Sequence, residues 1–105
     1  MEKVIYLGNE KTIFKWSNIT ELKKYAKKYD ISIGNDADIG DNVYIGSMVD
    51  TGDNVNISNN VDIGDYISIG NDVNIGDNVY ISSYVNIDHN TNIKEKSIIR
   101  MFTII

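Results

Sequence analysis

Residues 69–86 read IGNDVNIGDNVYISSYVN: three six-residue units, each opening on an isoleucine (Ile69, Ile75, Ile81) and carrying a valine (Val73, Val79, Val85) in fifth place. The spacing continues in both directions. Ile33, Ile39, Ile45, Ile57, Ile63, Ile87, Ile93, Ile99 and Ile105 hold the first place, and only Thr51, itself β-branched, breaks the series. Small or branched residues hold the fifth: Ala37, Val43, Val49, Val55, Val61, Ile67, Thr91, Ser97 and Thr103. Glycine follows the first aliphatic in units such as Ile39-Gly40 and Ile69-Gly70, where a tight corner calls for it. A period of six fits neither a 3.6-residue helix nor an ordinary hairpin. It fits short parallel strands joined by corners, with two inward side chains per strand. Residues 33–50 match residues 69–86 at thirteen of eighteen positions, so the structural period is eighteen.

These units resemble the hexapeptide-repeat superfamily, whose pattern is aliphatic-(Gly or similar)-x-x-small-x. The resemblance covers residues 31–105, twelve consecutive hexads. It implies an all-β fold, a left-handed parallel β-helix of about four triangular coils, three hexads to a coil. At about 4.8 Å per strand layer, four coils make a prism roughly 19 Å tall. The handedness is implied by the resemblance and not by the period.

Residues 1–30 read differently, as an N-terminal hairpin and helix that cap the first coil of residues 31–105. Val4–Leu7 and Thr12–Trp16 are two strands around a turn at Gly8–Lys11. Asn18, followed three residues later by Glu21, is a capping-box signature. Ile19, Leu22, Tyr25, Ala26 and Tyr29 share one helical face, opposite Lys23, Lys24, Lys27 and Lys28. Such a cap would cover the open edge of the first coil. The lysine row reads most simply as a solvated face, and otherwise as a dock for an acidic partner.

The 105 residues form one domain's worth of chain, with no Cys, no Pro, one Trp, one His and a formal charge of −5. Without cysteine there is no disulfide framework, thiolate zinc site or thiol nucleophile. One histidine excludes a three-histidine metal cluster within the chain, and calcium capture lacks a recognised loop motif. We therefore expect no metal. No membrane span or signal-peptide core is apparent, so a cytoplasmic protein is expected. The charge is strongly segregated. Residues 1–29 carry seven Lys and three Glu, residues 30–93 carry eleven Asp and neither Lys nor Arg, and residues 94–105 carry Lys94, Lys96 and Arg100 against Glu95. The acidic balance argues against direct nucleic-acid binding.

Folding the chain at eighteen residues per coil sorts the outward positions into columns. The fourth places give Met48, Tyr66, Tyr84 and Phe102 along one prism edge. The other two edges carry Asp36, Asn54, Asp72, Asn90 and Asn42, Asn60, Asn78, Lys96. One edge is apolar throughout, and exposed apolar strips mark association surfaces. Members of the superfamily typically form trimers, so the edge, with Met101 and Ile104 beside it, is expected at a homotrimer interface; the competing reading is a track for an aromatic ligand. Six of the last nine side chains are apolar, with Ile99 and Ile105 expected inward. Asp41, Asp53, Asp65 and Asp77 recur every twelve residues in third place, and Asp38, Asp50 and Asp62 in sixth, so Asp alternates with Asn or Ser on successive coils. Like charges then stand about 9–10 Å apart, which limits repulsion. Corners favour Asp and Asn anyway, but that preference leaves the absence of cations unexplained. With Asp36 and Asp72, these residues form an anionic lattice suited to a basic surface.

Most superfamily members transfer acyl groups from coenzyme A, commonly with a His as general base. The single His here lies in Ile87-Asp88-His89-Asn90, similar to the Ile-Glu-His-Asp/Glu segment of bacterial sugar O- and N-acyltransferases. That likeness implies His89 as base and Asp88 as the preceding acid, while Asn90 departs from the acid that follows. Three features oppose catalysis. The hexads run without an inserted loop, little wall follows His89, and residues 30–93 offer coenzyme A's phosphates no cation. The sequence thus favours a non-catalytic acidic scaffold that needs no cofactor and docks on a basic protein surface. Imitation of nucleic-acid charge, as in an inhibitor of a defence nuclease, would be one use. The alternative is a minimal acyltransferase taking acetyl-CoA with His89 as general base, and a third reading is a purely structural trimerisation segment.

Overall fold

The structure, a computed structural model, describes residues 3–8 and 12–105, and for residues 12–14 the backbone alone. Strands β1 (Lys3–Leu7) and β2 (Thr12–Trp16) pair antiparallel, from Lys3 opposite Trp16 to Leu7 opposite Thr12. Of the turn expected between them, residues 9–11 lie outside the described residues. Helix α1 (Ile19–Ala26) starts at Asn18, whose Oδ1 accepts the Thr20 N–H at 2.8 Å and the Glu21 N–H at 3.4 Å. Two amides that the first turn leaves unpaired are thereby satisfied. A 3₁₀ turn, Lys27–Tyr29, continues the helix, and Asp30 ends it in the left-handed region. Leu22 and Ala26 are buried, with Ile19, Tyr25 and Tyr29 packed against the same core, while Lys24, Lys27 and Lys28 are exposed. No helix among the described residues is long and apolar enough to cross a membrane.

From residue 31 the chain is a β-solenoid of parallel stacked coils with three faces. The first face holds β4 (Val43–Ile45), β7 (Asp62–Ile63), β10 (Tyr80–Ile81) and β13 (Ile98–Ile99). The second holds β5 (Val49–Thr51), β8 (Ile67–Ile69) and β11 (Val85–Ile87), and the third β3 (Asp38–Ile39), β6 (Asn56–Ile57), β9 (Asn74–Ile75) and β12 (Asn92–Ile93). Each pair is in register at eighteen residues, as in Tyr44 beside Asp62 and Asp62 beside Tyr80. The rungs make three full coils and part of a fourth, slightly fewer than four. On the second face the outermost pairings, Ser32 with Asp50 and Asn86 with Ile104, are single bridges. Strand β1 does more than cover the first coil. It joins the first face in parallel as an extra rung, with Ile5 beside Val43, Tyr6 beside Tyr44 and Leu7 beside Ile45. That edge is therefore paired and not left as an open template.

First and fifth places fill the interior, and one continuous apolar core runs from Leu22 and Trp16 to Ile99. Thr51 is buried, and its hydroxyl accepts the Gly34 N–H at 3.3 Å. In the last coil the fifth places are Thr91, Ser97 and Thr103, whose hydroxyls donate to the carbonyls of Asp88, Lys94 and Arg100. Ile99 is buried as expected. Ile105 is not: it is 41% exposed, with no coil stacked beyond it among the described residues.

The corners correct the reading of glycine. The left-handed conformation falls on the fourth place of every hexad, from Asp36 to Phe102, with φ between 55° and 65°. Glycine in second place is needed for close approach. A Cβ on Gly70 would lie 2.7 Å from the backbone nitrogen of His89 on the next coil, and the corner backbone cannot move aside.

Candidate functional site

Third-place side chains tie the coils together. From Asp53 to Ser83 the oxygen of each accepts the backbone N–H of the third-place residue one coil earlier: Asn35 to Asp53, Asp41 to Asn59, Ser47 to Asp65 and Asp53 to Asn71, all at 2.8 Å. Asn59 donates likewise to Asp77 at 2.9 Å, and Asp65 to the Ser83 hydroxyl at 3.0 Å. Asp41 also accepts the Val4 N–H at 2.8 Å, anchoring the extra rung. Asp, Asn and Ser alternate here because each supplies an acceptor. The sequence hinted at this role through the rarity of non-acceptors in third place.

Asp41, Asp53, Asp65 and Asp77 are therefore both structural and anionic. Asp36 and Asp72 occupy left-handed corner positions, where a short polar side chain is favoured. Asp38, Asp50 and Asp62 project from the middle of the third, second and first faces. Below Asp62 on the same face stands Tyr44 and above it Tyr80, while the third face continues from Asp38 as an asparagine ladder. There Asn56 donates to Asn74 at 2.7 Å, and Asn74 to Asn92 at 2.9 Å. Among the described residues, no three His, Asp or Glu side chains gather as a metal cage would need.

Met48, Tyr66, Tyr84 and Phe102 do lie above one another on a single edge. The backbone N–H groups of Tyr66, Tyr84 and Phe102 donate to the carbonyls of Ser47, Asp65 and Ser83 on the coil before. The Tyr66 and Tyr84 rings stack at 4.9 Å and 4°, and those of Tyr84 and Phe102 at 5.3 Å and 22°. Stacked rings spend their faces on each other and turn their edges outward, which leaves little for a flat aromatic ligand. All four side chains are 46–73% exposed. They also hold a backbone conformation that costs a bulky residue roughly 1–2 kcal/mol and an asparagine much less. Met101, Ile104 and Ile98 add exposed apolar surface on and beside the same edge. Ile98 and Tyr80 occupy sixth places, a column of Asp, Asn and Ser that also holds Tyr44 and Ile104.

His89 sits at the third place of its corner and obeys the rule of that place. Its Nδ1 accepts the Asn71 N–H at 2.8 Å, which puts the proton of the neutral ring on Nε2. Asp88 is turned back onto the His89 N–H at 2.7 Å and not onto the imidazole. A groove of about 420 Å³ opens beside them, lined by Ser68, Asn86, Asp88, His89, Ile104 and Ile105. A second groove, about 290 Å³, runs along the first face past Tyr6, Tyr44, Asp62, Asp65, Tyr80 and Met101. There the Tyr6 and Tyr44 rings stack at 4.1 Å and 7°. The Tyr44 phenol raises the Tyr6 pKa above the ordinary 10.0, with smaller contributions from burial and from Asp41.

No family model matches the chain, and no curated protein does. Among solved structures the chain is similar to serine acetyltransferase isoform 3 from Entamoeba histolytica, crystallised in complex with cysteine. The identity is 22% and the TM-score 0.29, over 81% of this chain and 39% of that one. The chain thus spans about two fifths of that protein's length.

Proposed function

We propose that the chain is a non-catalytic acidic scaffold that docks on the basic surface of a partner protein and assembles with its own copies, as a homotrimer, along the Met48–Phe102 edge. The left-handed winding belongs to the same proposal. The observation that carries it is the sorting of the surface. Two edges and the third face present Asp, Asn and Ser on a frame stiffened by coil-to-coil hydrogen bonds, and residues 30–93 contain no cation to neutralise them. A rigid anionic surface loses little entropy on docking and steers a cationic partner over long range. A protein whose basic groove normally holds nucleic-acid phosphates is the partner class this charge fits.

The test uses polylysine as a model basic partner. Affinity should fall steeply as added salt shortens the Debye length from about 10 Å at 0.1 M to about 3 Å at 1 M. The paired change Asp41→Asn with Asp77→Asn should flatten that dependence without loss of fold, because Asn59 already serves as acceptor in the same column. A salt-independent complex would contradict the proposal.

One observation favours a second reading, acyl transfer from acetyl-CoA: the groove beside His89. In that reading His89 would take the proton of an acceptor hydroxyl or amine. The bond from Asn71 to Nδ1 stands against it, because the ring must break a structural contact or exchange tautomers before it can act as a base. Calorimetry with acetyl-CoA decides. Heat of binding that His89→Asn abolishes would support transfer, and no binding at millimolar ligand would end it.

A further inference from the structure

The lower end of the rod is cationic. Helix α1 closes that end: Leu22 and Ala26 seal the core, with Ile19, Tyr25 and Tyr29 packed against it. The opposite face of a helix that plugs a rod is the end of the rod. Here that face carries Lys24, Lys27 and Lys28, all exposed. The Lys28 Nζ lies over the Tyr25 ring at 4.7 Å, and none of the three lysines is ion-paired with an acid among the described residues. Residues 1–29 hold seven Lys and three Glu, while the eleven Asp of residues 30–93 begin at Asp30 and continue up the rod. The molecule's longest extent is 30 Å. At about 0.01 M salt the Debye length is about 30 Å, so an anionic surface meeting this end also feels the Asp above it and repels a chain of net charge −5. At about 0.1 M the length is about 10 Å, and the surface feels chiefly the lysines.

We infer that Lys24, Lys27 and Lys28 form a landing end for the anionic surface of a lipid bilayer, on which the rod stands with its acidic coils held away from the lipid. Contact is peripheral, because the apolar face of α1 is already buried in the core. Every cation of residues 1–29 is a lysine. An ammonium is a compact, strongly hydrated charge that suits a diffuse anionic surface, whereas two-pronged bonding of single phosphates favours arginine. The inference goes beyond the docking proposed above and rests on the trimer at one point. Copies assembled along an edge that runs with the rod point their lysine ends the same way. One plane then meets all three ends together, and a nucleic-acid duplex, itself a rod, does not.

The experiment measures co-sedimentation with vesicles of phosphatidylcholine alone and of phosphatidylcholine with phosphatidylserine in equal parts, beside anisotropy of a labelled DNA duplex. The mixed vesicles should bind the chain and the neutral ones should not. Binding should be greatest near about 0.1 M salt and fall towards both about 0.01 M and about 1 M, where the Debye length is only about 3 Å. Lys24→Gln and Lys27→Gln should each weaken it about fivefold, while Lys94→Gln in the last coil should change little. Thermal unfolding of each variant checks that the cap persists. Polylysine binding by the same variants should be unchanged, which separates this end from the acidic docking. Affinity that only falls as salt rises from about 0.01 M, equal losses from Lys24→Gln and Lys94→Gln, or a duplex bound as tightly as the mixed vesicles would overturn the inference. A parent chain that sediments singly would end the trimer reading, and the lysine variants would then decide this inference by themselves.

Discussion

Gly70 and Asn71 are neighbours in one corner and answer to different constraints. Gly70 is there because the backbone of His89 passes too close for a Cβ, so Gly70→Ala should cost roughly 1–3 kcal/mol, read as a lowered thermal midpoint. Asn71 is there because its Oδ1 accepts from Asp53, and Asp53 in turn accepts from Asn35. Asp53→Asn should therefore leave stability nearly unchanged, while Asp53→Val, which strands the Asn35 N–H, should cost about 1–2 kcal/mol. Tyr6 gives a pH prediction. Its folded pKa is raised, so its contribution to stability is complete below the ordinary phenol value of 10.0 and is lost as pH climbs through the higher folded value. Phenolate absorbance should show Tyr6 ionising late, and Tyr44→Phe, which removes the first cause, should bring it earlier.

At the scale of an element, the apolar edge separates stability from association. Tyr66 keeps a left-handed backbone that asparagine adopts more readily. Tyr66→Asn should keep the monomer's unfolding free energy within about 1 kcal/mol, since easier backbone geometry offsets the lost ring stack. The same change should abolish self-association, checked by sedimentation against the parent chain. A variant that stays assembled would free this edge from the role proposed for it. The elements were legible to different depths. Ile33 to Ile99 at intervals of six announced the rungs, and Asn18 announced the helix start. The pairing of Tyr6 with Tyr44 was not legible, because nothing in the spacing of Val4–Leu7 says that it adds to the first face. The two roles in each corner were also hidden. Gly40 and Asn42 are both turn-forming residues, and only the stacked coils show that the first yields space and the second supplies the positive φ.

For the whole molecule, charge and apolar surface are kept apart: Asp-rich edges, one aromatic edge, and cations confined to residues 1–29 and 94–105. A trimer along the aromatic edge should sediment at about three times the 11.8 kDa chain mass, and a single-chain species at micromolar concentration would remove that proposal. The sequence exposed the columns of the candidate surface because position modulo eighteen is arithmetic. It could not expose the setting of His89 or Asp62, which depends on what lies one coil away: an amide bonded to Nδ1 in one case, a ring on either side in the other. Every surface described here depends on residues eighteen apart being stacked. The chain has no cysteine, so paired cysteines can measure this without interference. Adjacent rungs stand about 4.8 Å apart, within the Cα separation a disulfide spans. Ser68→Cys with Asn86→Cys, in register on the second face, should close into a disulfide on mild oxidation. Asn74→Cys with Asn86→Cys, twelve apart on different faces, should stay reduced, and closure of that pair in place of the first would contradict the coil itself.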